Sequence, residues 1–205
     1  MHLTREDIYE LDRIKRLNII NSIAGIRPAN LIGTTQNNVS NLAIFSSVMH
    51  LGSFPALMGF ILRPQGEIKR NTYGNLKANG VFTINHVPVD KVSNAHATSA
   101  KFEEDESEFK HCGFKEQWLE GFDAPFVEES QLKIGLSFEQ EIPIEINKTS
   151  LIIGRVEHLI FDEKSISEEG YINLESLSTA GVAGLNSYYQ LKKLEAFPYA
   201  RVKDT

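Results

Sequence analysis

The chain has 205 residues, 41% of them apolar, enough to close a sizeable core as one domain spanning 1–205. A formal charge of −6 with both signs dispersed argues against a nucleic-acid backbone as partner, and the single cysteine, Cys112, excludes an internal disulfide and a cysteine-rich metal site. No apolar run approaches about 18 residues and the first turns are charged, so neither a membrane span nor a signal peptide is expected, and the expected setting is a reducing cytoplasm.

Thr4 with Asp7 three residues on marks a helix start, followed by Ile8, Leu11, Ile14 and Leu17 at helical spacing. The pattern predicts one short amphipathic helix lying against a barrel or a partner subunit, broken before Pro28. Residues 29–35 (ANLIGTT) read as a strand, 36–38 as a turn, and 39–45 as the next strand. Residues 46–55 (SSVMHLGSFP), dense in small hydroxyls and closed by Gly and Pro, read as a loop exposing backbone N–H groups. A third strand follows at 56–62, ending in the fixed cation Arg63.

Gln65-Gly66 turns the chain. Residues 73–79 read as a helix capped by Asn71 or Thr72, ending at Asn79-Gly80. Residues 81–87 (VFTINHV) alternate as a strand, 90–100 read as a weak helix, and an acidic run at 103–106 precedes a short helix through Phe109, Lys110 and His111. Residues 113–131 read as loop with short turns. Two long strands, 133–146 and 151–161, flank the hairpin connector 147–150, and 173–177 reads as a short helix or turn before the tail. Five or six strands with local hairpins and peripheral helices predict a mainly β fold, a small antiparallel barrel with additions. A doubly wound dinucleotide fold is disfavoured, since strand–helix alternation and a GxGxxG turn are both missing.

No P-loop, HExxH, CxxC or GxSxG occurs. His50, His86, His96 and His111 are scattered without carboxylates or cysteines at ligand spacing, so no metal is assigned. Ser46 and Ser47 lack a strained nucleophile turn. What remains suits an anionic aromatic ligand. Arg63 at a strand end and Thr72 at a helix start are placed to take a phosphate, with Lys69, Arg70 and Lys101 adding to the field. Ser46, Ser47 and the N–H of Val48 are placed for the polar rim of a ring system.

The segments SIAGIRPANLIGT (22–34), NLAIFSSVMHLGSFPALMGFILRP (41–64), RNTYGNLKANGVFTINHV (70–87), HATSAKF (96–102), SEF (107–109), LIIGRV (151–156), YYQL (188–191) and YAR (199–201) follow one another along nearly the whole chain. Together they resemble the flavin reductase-like family of FMN-binding split barrels, particularly its flavoredoxin-related branch. The resemblance implies a six-stranded antiparallel Greek-key barrel, a homodimer, and one FMN per subunit near the dimer interface. It also implies an oxidoreductase moving electrons from NADH or NADPH through FMN to a flavin or other acceptor. The alternative from another class is a non-enzymatic FMN electron carrier reduced by a protein partner. By resemblance, the residues around FMN are Asn41, Ala43, Phe45, Ser46, Ser47 and Val48 at the ring and ribityl chain, Arg63, Thr72 and Asn75 on the phosphate side, and His96, Ser99 and Lys101 closing the pocket. His50 or His96 bordering the ring face is set against the ordinary role of a histidine bonded to a neighbouring carbonyl. No proton donor is named.

Overall fold

The computed structural model describes residues 1–64, 71–103 and 105–198. Gln65-Gly66, Lys69, Arg70, Glu104 and the YAR of 199–201 lie outside the described residues.

The single helix expected at the N-terminus is two, α1 (Arg5–Glu10) and α2 (Arg13–Ser22). The Thr4–Asp7 capping box forms as the spacing predicts, but Asp12 caps a second start by accepting from the backbone N–H groups of Ile14 and Lys15, which breaks the helix between them. Neither helix buries a residue within the chain.

β1 (Arg27–Pro28) is followed by β2 (Asn30–Gln36) and β3 (Val39–Phe45), joined by Asn37-Asn38 with both residues at positive φ, the geometry of a two-residue hairpin. Residues 46–55 are not all loop. β4 (Met49–Ser53) pairs antiparallel with β5 (Ala56–Leu62) around a Phe54-Pro55 turn. Gly52 and Pro55 read as loop punctuation in the sequence, yet Gly52 sits at a break in register and Pro55 at the turn, two places an edge strand accommodates.

α3 (Asn71–Asn79) starts at Asn71, so Thr72 lies inside the first turn rather than capping it; the helix closes on Gly80, at φ +71°, whose N–H donates to the Leu76 carbonyl. β6 (Val81–His86) leads through a 3-10 turn to α4 (Val92–Ala97), shorter than the expected 90–100, and then to α5 (Glu108–His111). Residues 113–131, expected as loop, form a hairpin of β7 (Glu116–Leu119) and β8 (Phe122–Val127), turning at Gly121 with φ +77°. Pro125 sits within β8, where its carbonyl accepts from the Thr83 hydroxyl at 2.6 Å. The long pair β9 (Leu132–Ile144) and β10 (Thr149–Phe161) follows, and the tail forms β11 (Ala180–Ala183) and β12 (Ser187–Gln190).

The main sheet has seven antiparallel strands in the order β3-β2-β6-β9-β10-β5-β4; the strand beyond the expected six is β4. Its two edges, β3 and β4, are consecutive in sequence and linked by residues 46–48 alone. Such a linker spans at most about 14 Å, so the sheet must curl until its edges face each other, as a split barrel. Ile32, Phe60, Phe82, Ile84, Leu136 and Ile152 fill the interior, with Phe60 edge-on to both Phe45 and Phe82. Leu31, Leu42 and Val87 point to the other face, where they pack with Ala95, Phe109 and Val182. β2 is therefore buried on both sides. A small sheet, β1-β11-β12, closes that outer layer.

Candidate functional site

The seam between β3 and β5 is where the barrel remains open. Register in the β4–β5 pair sets Met49 opposite Gly59; extended two residues back, it would set Ser47 opposite Ile61. At that point a side chain replaces the main-chain ladder. The Ser47 hydroxyl accepts from the Ile61 N–H at 3.1 Å and donates to the Ile61 carbonyl at 3.2 Å. Both of Ile61's polar groups are answered by one hydroxyl, which leaves the backbone of 46–48 out of the ladder. The sequence placed the Ser47 hydroxyl on a ligand; its hydrogen is instead held by the sheet. Ser46 makes no hydrogen bond among the described residues, and Val48 packs on the barrel interior.

A cleft of about 1100 Å³ runs along this seam. One wall is β3 (Asn41, Ala43, Ile44, Phe45) with Ser46 and Ser47; Ile61, Arg63, Pro64, Asn71 and Thr72 form the adjoining end. Other lining residues are His96, Thr98, Ser99, Lys101 and Phe102 after β6, Val182, Leu185, Asn186 and Tyr188 of the β11–β12 hairpin, and the earlier Arg27 of β1. Ten of the twelve expected residues therefore share one cleft: Asn41, Ala43, Phe45, Ser46, Ser47, Arg63, Thr72, His96, Ser99 and Lys101. Val48 and Asn75 do not line it. Asn75 is buried and donates to the Thr34 hydroxyl at 3.1 Å. His50 lies exposed on β4, away from the cleft.

Hydrogen-bond direction limits what each group can offer. Thr98 and Ser99 donate back to the Ala95 and His96 carbonyls at 2.8 and 2.7 Å, closing the end of α4. The His96 Nδ1 meets the Tyr188 hydroxyl at 3.0 Å with the rings edge-on, so its partner is a side chain from the C-terminal sheet and not a neighbouring carbonyl. Burial raises the Tyr188 phenol above its ordinary value, which keeps it protonated. Glu108, 6% exposed, lines the cleft and accepts from the Asn41 amide at 2.8 and 2.9 Å and from the Leu42 N–H at 3.0 Å. Burial pushes its carboxyl pKa up, against those donors. Arg27, Glu108 and Tyr188 were not singled out from the sequence, although each stands inside a segment that carried the resemblance.

Among the described residues the charge balance of the lining is Arg27, Arg63 and Lys101 against Glu108, whose two oxygens are already engaged. The Arg27 Nε is buried and has no acceptor among the described residues. This wall, rich in cations and hydroxyls and open to an apolar floor, fits an elongated anionic ligand with a flat ring.

Residues 26–176 match the family model described as a flavin reductase like domain. A crystal structure from Shewanella frigidimarina NCIMB 400, assigned as a flavin reductase with a split barrel domain, superposes with TM-score 0.93 at 40% identity over 98% of this chain and 100% of that one. Nitrilotriacetate monooxygenase component B from Bacillus cereus shares the fold at TM-score 0.84 and 19% identity, covering 96% and 98% of the two chains. Flavoredoxin of Desulfovibrio vulgaris (Miyazaki F) shares it at TM-score 0.73 and 22% identity, covering 85% and 92%. No curated protein matches by sequence.

Proposed function

From the premise that this chain belongs to the flavin reductase-like domain family, we propose that it is an FMN-binding oxidoreductase of flavin-reductase type. The observation that carries the reading is the seam cleft, with three cations, one already engaged carboxylate, and backbone freed at 46–48. Bound FMN would supply the hydride-accepting and electron-passing chemistry between NADH or NADPH and a flavin or another acceptor. The chain's own residues bind and orient. Arg63 and the first-turn N–H groups of α3 hold the phosphate end. Ser46 and the amides of 46–48 meet the polar rim of the ring, with Asn41, Ala43 and Phe45 behind it. Ser47 keeps that loop in place through Ile61. His96, Ser99 and Lys101 close the other wall, where the Tyr188 hydroxyl meets His96 Nδ1 beside the cleft.

A homodimer is part of the proposal. It is supported by α1 and α2, which bury nothing within the chain while Ile14 and Ile20 stay exposed. The proposed setting is the cytoplasm, in keeping with one unpaired buried thiol, Cys112.

The test is the visible spectrum of the purified protein with FMN, before and after anaerobic NADH or NADPH. Flavin absorbance that bleaches supports the reductase. Colour that persists with nicotinamides and bleaches only with a reduced electron-transfer protein favours an FMN carrier instead. A protein that takes up no FMN overturns the reading.

A further inference from the structure

Beneath the cleft runs a chain of buried hydrogen bonds whose direction one residue sets. Glu108 faces three donor contacts and, among the described residues, no Lys or Arg within ion-pair distance. Both Glu108 oxygens accept, so the Asn41 amide turns its NH2 toward Glu108 and its Oδ1 away. That oxygen lies 2.9 Å from the Thr72 hydroxyl and 3.3 Å from the Thr34 hydroxyl. An amide oxygen cannot donate, so both hydroxyls donate to it. The Thr34 oxygen then accepts from Asn75 at 3.1 Å. Thr72 and Asn75, the buried polar side chains of α3, are in this way tied to β2 and β3, and the tie is oriented from Glu108, over 30 residues further along the chain.

We propose that Glu108 is a positioning residue for the phosphate end of the flavin site, acting through Asn41 on the first turn of α3. The proposal rests on the FMN reading above. It also reassigns Thr72: its hydroxyl hydrogen is committed to Asn41, so a phosphate there is met by backbone N–H groups and Arg63, and Thr72 holds the helix end in place. Replacing Glu108 by Gln sets an NH2 against either the Asn41 NH2 or the Leu42 backbone N–H, donor against donor, which reverses the direction of the chain or breaks it.

The full chain and its Glu108→Gln and Thr72→Val variants are titrated with FMN and, separately, with riboflavin, following flavin fluorescence. The ratio of the two affinities isolates the phosphate. Glu108→Gln is expected to lower that ratio about tenfold, the scale of one lost charged hydrogen bond, with riboflavin affinity within about twofold of wild type. Thr72→Val, of similar shape and without the buried carboxylate's complications, is expected to lower the ratio in the same direction. An Asn41→Ala/Glu108→Gln double variant is expected to be no worse than the worse single one, since the two act in series. A ratio that stays at the wild-type value in Glu108→Gln and Thr72→Val overturns the proposal, as does an equal loss of both flavins, which would be a folding role only. Wild-type protein that binds neither flavin refutes the flavin site itself, and wild-type protein that binds both equally refutes the phosphate subsite and with it the proposal; that control tells the two apart.

Discussion

His86 ends β6 in a place that water scarcely reaches, and it offers the most direct test of how burial tunes this fold. It is 9% exposed, and desolvation of its charged form lowers its pKa from the ordinary 6.5 to about 4. The folded protein thus holds His86 neutral through a range where the unfolded chain binds a proton. The sign follows from linkage: the stability is fully present above pH 6.5 and is lost as the pH falls toward 4. Integrating between those two values gives a loss of about 2 kcal/mol by pH 5 and about 3 kcal/mol by pH 4. The assay is urea unfolding of flavin-free protein at pH 7.5, 6 and 5, comparing wild type with His86→Gln, whose amide has no charge to gain. Taking the difference between the two cancels carboxylates that titrate in both, including Glu108, whose raised pKa works in the opposite sense. Wild type should lose about 2 kcal/mol relative to the variant between pH 7.5 and pH 5. A difference that stays constant within about 0.5 kcal/mol would refute the argument that burial alone holds this imidazole neutral.

Ser47→Ala removes both bonds to Ile61, so stability should fall by about 1–2 kcal/mol and the Ile61 amide should exchange faster; Ser47→Thr, keeping the hydroxyl, should restore slow exchange, and an unchanged amide in Ser47→Ala would remove the clasp. A Cβ at Gly33 would run into the Pro125 carbonyl and lie 2.5 Å from the Thr83 hydroxyl, which together bind β8 to the sheet. Gly33→Ala should therefore lower Tm by roughly 5 °C or more, and a thermal melt within a degree of wild type would show that β8 yields freely.

Where structure was set by neighbours in sequence, it was readable. β5 has the expected bounds, Asn37-Asn38 makes the expected turn, Gly80 ends α3, and Thr4 with Asp7 starts α1. The misses share a cause: residues that usually interrupt an element were absorbed by tertiary pairing. Gly52 and Pro55 hid β4, Pro125 lies within β8 of the hairpin that was read as loop, and Asp12, inside the stretch read as one helix, caps a second one. The cleft divides in the same way. Ser46, Ser47 and Arg63 lie in the single stretch 41–64 and, with Thr72 at the next helix, were pointed to by residue type, whereas Asn41 came only from the resemblance. Glu108 and Tyr188 reach it only through partners 67 and 92 positions away, so no local pattern could reveal them. The resemblance carried the segments that contain them without saying what they touch.

The pairing of Arg27 with Val182 carries a consequence for biosynthesis. The first wall of the cleft is complete once β5 has formed, but the second needs residues 180–190 to return to β1 across most of the chain. That closure is among the longest loops in the molecule and is slow to form for entropic reasons. A nascent chain that has not yet reached residues 180–190 therefore displays a half-built trough lined with cations and hydroxyls, which only those strands close.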